Sequence, residues 1–199
     1  MVPEKPQYFA TQDEAVQKAI ADFRAVLTSG TDIELGIDVD TLTRTQHGRP
    51  VRRVELDFDK LLEAEAAATF EQLVGSKRNL VIPLIADQAV ATIVEVARDE
   101  GGWRVVGLAG QDIAGDLSAV LAIAGDTAES VTLYEVPNLQ VRVYGVVSAS
   151  GEILHTNYGD RFDIRQGIDA ATLLPVLRAD AQEFQREYGD ALRKGKLVR

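Results

Sequence analysis

The sequence predicts an α+β fold, a mainly antiparallel sheet of meander hairpins packed with about four helices. Two observations carry that prediction. Apolar residues recur at helical spacing in some blocks and alternate at strand spacing in others. The strand blocks also follow one another through short turns, without the regular strand–helix–strand alternation of a doubly wound sheet.

The first helix is marked by Thr11 and Glu14, which fit a capping box. Val16, Ile20, Phe23 and Leu27 then repeat at helical spacing, and Ser29-Gly30 supplies the stop. In "DIELGIDVD" (32–40), Ile33, Leu35, Ile37 and Val39 alternate with Asp32, Glu34, Gly36, Asp38 and Asp40. In "VRRVELDFD" (51–59), Val54, Leu56 and Phe58 alternate with Arg53, Glu55, Asp57 and Asp59. With Arg44, His47 and Arg49 between them, the two segments read as a long hairpin with an acidic outer face and a basic tip. A second helix is expected from Asp59 as N-cap, through Leu62, Ala66, Phe70 and Leu73, to Gly75.

Residues 80–108 read as a three-strand meander, with Pro83 placing its strand at an edge or a bulge because proline has no N–H for a ladder. Ile113, Leu117, Val120 and Leu121 make a third helix, capped by Asp112 and closed by Gly125. Three strands follow, "SVTLYEV", "LQVRVYGVV" and "EILHTNY", turning at Pro137-Asn138 and at 149–151. The last helix covers 169–188 on Leu173, Leu177, Ala181, Phe184 and Tyr188; Thr172 as N-cap would put Pro175 in its first turn. The resulting organisation is a lead (1–10), one α+β domain (11–190) with a candidate subdivision near Gly75-Ser76, and a basic tail (191–199).

Composition narrows the partners. The 199 residues are 46% apolar and 26% charged, ordinary for a folded domain. A net charge of −10 disfavours nucleic acid and anionic membrane surfaces, both of which select Lys and Arg. With no Cys there are no disulfides or thiolate metal sites. No apolar run reaches the ~18 residues of a membrane span, so membrane insertion is not expected. The lead "MVPEKPQYF" suits either a cytoplasmic chain or an exported one whose signal segment is gone. Arg193, Lys194, Lys196 and Arg199 crowd the last seven residues, leaving 17 basic against 31 acidic groups before them.

The motif search mostly excludes. "WRVVGLAGQDIAGDL" (103–117) has the strand–glycine–helix layout of a phosphate loop, and Gly110 and Gly115 have its spacing. Asp116 and Leu117, however, stand where the lysine and hydroxyl belong. No EF-hand spacing exists, so no metal or cofactor is assigned. His155 shares a strand face with Ile153 and Asn157 and reads as scaffold. Ser148 or Ser150 could be drawn beside it, but no G-x-S-x-G elbow exists.

Two surfaces remain. Asp32, Glu34, Asp38, Asp40, Glu55, Asp57 and Asp59 form the acidic hairpin face; like charges across strands repel, and the readings open are a merely solvated face, compensation by Arg52 and Arg53, a bound calcium ion, or a basic partner. Trp103, Tyr134, Tyr144, Tyr158 and His155 could instead line an apolar ligand pocket between sheet and helices. The piece "GGWRVVGL" and the helix-first order are similar to cystatin-like and NTF2-like cone domains over one hairpin. The order of the cone fold is not reproduced, and no site residue is carried over. The leading expectation is therefore a non-enzymatic interaction protein, with a protein partner or a second copy. The alternatives are a small-ligand binder and, last, an enzyme using His155, Asp57 and Asp59.

Overall fold

The computed structural model describes residues 6–29, 36–65, 67–108 and 110–193. Among them the fold is α+β, with five α-helices and eight strands in a mostly antiparallel sheet. In chain order these are α1 (Gln12–Thr28), α2 (Val39–Arg44), β1 (Gln46–His47), β2 (Val51–Leu56) and α3 (Phe58–Glu63). Then come β3 (Val74–Ala86), β4 (Ala89–Asp99), β5 (Gly102–Leu108) and α4 (Gln111–Ala124). β6 (Ser130–Val136), β7 (Val141–Ser148), β8 (Gly151–His155) and α5 (Ala170–Arg193) complete the chain. No helix among the described residues is long and apolar enough to cross a membrane.

The chain divides into two compact units, one of Met1–Arg52 and Arg78–Gly125, the other of Arg53–Lys77 and Asp126–Arg199. In the first unit β3, β4 and β5 form an antiparallel meander. Helix α1 starts where expected, with the Thr11–Glu14 capping box made and Ser29 as C-cap. Its stripe of Ala15, Val16, Ala19 and Phe23 is buried against Ile82, Leu84, Val94 and Val96 of the meander, with Leu42 of α2 in the same cluster. Helix α4 buries Ile113, Ala114, Leu117 and Val120, and Gly125 (φ +57°) closes it. Its N-cap is Gly110, and Asp112 sits in the first turn.

The second unit repeats the plan with β6, β7 and β8 as meander and α5 behind it. Leu173, Leu174, Leu177 and Ala181 of α5 share a core with Val54, Leu56, Leu61, Phe70, Tyr134 and Val143. Asp169 caps α5 in place of Thr172, accepting the Thr172 N–H at 2.6 Å. Pro175 therefore lies past the first turn, and the Ala171 carbonyl lacks its usual helical donor.

The two meanders share one turn in detail. Asp99 pairs with Gly102 and Ser148 with Gly151, each across two turn residues. The Asp99 carboxylate accepts the Gly101 N–H at 2.9 Å, and the Ser148 hydroxyl accepts the Ser150 N–H at 3.4 Å. Gly102 (φ +119°) and Gly151 (φ +116°) then open the next strand in a backbone conformation that glycine alone adopts cheaply.

Three expectations are corrected. The segment read as the first acidic strand is helical from Val39 to Arg44, because the Asp38 side chain takes the Thr41 N–H and starts a helix. Asp32 and Glu34 lie outside the described residues, as do Lys194, Lys196 and Arg199 of the basic tail. The helix expected from Asp59 to Gly75 begins earlier, with Asp57 as N-cap, and stops at Glu63; a separate 3-10 turn, Phe70–Leu73, follows. Strand β3 is not an edge: Pro83 pairs with Ile93 of β4, and the other side of β3 carries β1 and the Gly48 N–H on the Pro83 carbonyl. The register irregularity between Leu84 and Ile85 falls just after this proline.

A methyl group on Gly102 would sit 2.6 Å from the Phe9 carbonyl oxygen, whereas one on Gly151 meets open space. Phe9 and Trp103 exchange both backbone hydrogen bonds, at 2.7 and 2.9 Å, so the collision falls on a made bridge. Gly151→Ala should cost about 1–3 kcal/mol for its backbone conformation, near 2–4 °C of Tm per kcal/mol at this chain length. Gly102→Ala should melt several degrees lower still. Equal melting temperatures in a thermal scan would contradict the Phe9 contact.

Candidate acidic binding surface

The acidic residues gather at two places, one in each unit, through the same local device. "IDVDTL" (37–42) and "LDFDKL" (56–61) each place an aspartate at an N-cap, a second in the first helical turn, and a leucine four residues after the cap. Asp38 accepts the Thr41 N–H at 2.7 Å and Asp57 accepts the Lys60 N–H at 3.1 Å. Leu42 and Leu61 are buried, anchoring the turn as a hydrophobic staple does. The Thr41 backbone N–H and then its side chain hold the Asp38 carboxyl below the usual aspartate range. Each turn borders a depression: about 390 Å³ beside Asp38, Thr41 and Ala91, and about 310 Å³ beside Glu55, Asp57, Phe58, Asp59 and Lys77.

Part of the charge in each unit is paired within it. Arg53 forks onto both oxygens of Glu135 at 2.7 and 2.9 Å in a partly buried pair, geometry that favours arginine. Lys77 pairs with Glu55, and the Lys60 ammonium donates to the Val74 carbonyl at 3.0 Å. The basic residues of the expected hairpin tip are occupied too: Arg44 pairs with Asp87 at 2.7 Å, and His47 lies 3.4 Å from the Gln17 amide. Asp57 and Asp59 have no ion-pair partner among the described residues. No group of three or more His, Asp or Glu among the described residues is placed to hold a metal ion.

Phe58 supplies the apolar part of the second depression. Its ring meets Phe184 edge-on at 5.7 Å, and Phe184 lies 5.1 Å from Tyr188. These three rings belong to α3 and α5, and Tyr188 is exposed. The sequence reading did not connect Phe184 and Tyr188 with the acidic segment.

The aromatic set expected around a pocket is divided between the two units. Trp103 belongs to the first unit, with the Arg98 guanidinium 5.8 Å from its ring centre. In the second unit Tyr144 and His155 stand opposite each other across β7 and β8, and both are buried. Tyr134 packs against Phe70 at 5.3 Å and donates to Glu152 at 3.0 Å. The His155 Nδ1 is 2.9 Å from the Ile164 carbonyl, a scaffold role. Ser148 and Ser150 bond to each other at 2.9 Å. They sit at the opposite end of β8 from His155, roughly 13 Å of extended chain away.

Tyr158 donates to Asp180 at 2.7 Å, tying the loop after β8 to α5. Burial, then the Asp180 carboxylate, pushes this phenol up to about 12. Its folded value lies above the unfolded value of about 10. The contact therefore stabilises fully below about pH 10 and is lost as pH rises toward 12. Tyr158→Phe should melt below the parent at pH 9, and the gap should close by pH 11.5. A gap that stays constant would show that the phenol proton is not part of the contact. Comparison with protein-family models, curated proteins and solved structures found no match to this chain.

Proposed function

We propose that this chain is a non-enzymatic binding module whose acidic surface at β2 and α3 docks a cationic segment of a partner protein. The observation that carries the reading is the convergence of Glu55, Asp57 and Asp59 on one open depression, in a chain of net charge −10. Among the described residues the nearby Lys77 and Lys60 are already engaged, which supports a partner as the source of positive charge for Asp57 and Asp59. An enzymatic reading has less support, since His155 is buried on a backbone carbonyl and the two serines serve a turn. The small-ligand reading loses Tyr134 and Tyr144 to the core.

The test uses Asp57→Asn with Asp59→Asn, because asparagine caps a helix about as well as aspartate and the fold is kept. A fluorescein-labelled lysine-rich peptide is titrated and followed by anisotropy, with a Gly/Ser peptide as control. The parent should bind the basic peptide alone, more weakly as salt rises from 50 to 300 mM. The double variant should bind roughly 2- to 30-fold more weakly, from about 0.2–1 kcal/mol for each surface charge. Asp38→Asn with Asp40→Asn, in the other unit, should leave the affinity unchanged. Equal binding by parent and Asp57/Asp59 variant would refute the assignment.

A further inference from the structure

Resting on that reading, we infer that the docked segment is amphipathic: its cations face Asp57 and Asp59, and an apolar or aromatic side chain between them packs on the strip formed by Phe58, Phe184 and Tyr188. The argument starts from α5. Up to Ala181 the helix spends its apolar stripe on the core, with Leu173, Leu177 and Ala181 fully buried. One turn on, the stripe continues as Phe184, half-buried, and then Tyr188, 37% exposed. Phe184 leans on Phe58, which also lines the carboxylate depression, so the ring cluster and the acidic depression share one residue.

Aromatic faces attract cations as well as apolar groups. Glu187, exposed and next to Tyr188, extends the negative potential along the strip. Its carboxylate, as hydrogen-bond acceptor and as charge, pushes the Tyr188 phenol above its usual range. Charge complementarity therefore selects a basic segment, and the rings select one that carries an anchor. A polyanion such as nucleic acid is repelled by the same carboxylates.

Two labelled peptides test this: a lysine–glycine decapeptide with one central tryptophan, and its counterpart with glycine in that place. Anisotropy titrations are run on the parent, on Tyr188→Ala and on Tyr188→Phe, which keeps the ring and controls for folding. The parent should bind the anchored peptide roughly tenfold more tightly than the plain one, about what one buried ring contact supplies. Tyr188→Ala should bring the ratio to about one, and Tyr188→Phe should restore it. A ratio near one in the parent, or one unchanged in Tyr188→Ala, would overturn the strip and leave the acidic surface standing. Binding of neither peptide would remove the acidic reading itself. A parent dimer in native mass spectrometry that dissociates in Tyr188→Ala would overturn the proposal by showing a second copy on the strip.

Discussion

The bond from the Lys60 N–H to the Asp57 carboxylate is where the second unit changes direction. Up to Leu56 the chain is a strand with Val54 and Leu56 buried and Arg53 and Glu55 half-exposed. One residue later that alternation would carry Phe58 inward and Asp59 outward along an extended chain. The cap instead winds Phe58–Glu63 into a helix and drops Leu61 into the core beside Phe70 and Leu177. Phe58 is then free to meet Phe184, and Asp57 and Asp59 are brought back beside Glu55. The candidate surface depends on this turn more than on any strand pairing.

Much of the fold was legible because its signals are local. The capping box of α1, the alternation of the two meanders and the stripe of α5 each lie within a few residues, and each formed. What failed was the choice between periods where a short segment fits both. Ile37 and Val39 fit a strand, yet Asp38 followed by Leu42 also satisfies a cap with a staple, and the cap prevailed. The break after Glu63 was legible too, in Thr69 and Gln72, which make a capping box of their own. The alanine-rich run 64–68 masked it, since high helix propensity argues for continuation.

The acidic residues stand out in the sequence by their density, but their spatial grouping was not legible. Asp38 and Asp40 fall in one unit and Glu55, Asp57 and Asp59 in the other, each set at its own helix cap. Arg53, expected to offset these carboxylates, pairs with Glu135 on β6, and the cation that pairs with Glu55 is Lys77, beyond both acidic segments. Such partners, like the meeting of Phe58 with Phe184, depend on long-range contacts that no spacing rule encodes.

The two acidic turns finally separate structure from recognition. Both use the same cap, first-turn aspartate and buried leucine, so those features answer a need of the fold that recurs in each unit. Between the two aspartates they differ: Val39 in the first, Phe58 in the second. Valine offers a small aliphatic side chain with no face for a cation, whereas phenylalanine extends the turn into a line of rings that reaches solvent at Tyr188. A device built only to start a helix has no use for that extension. This difference, more than the carboxylates common to both turns, is why recognition is placed on the second unit.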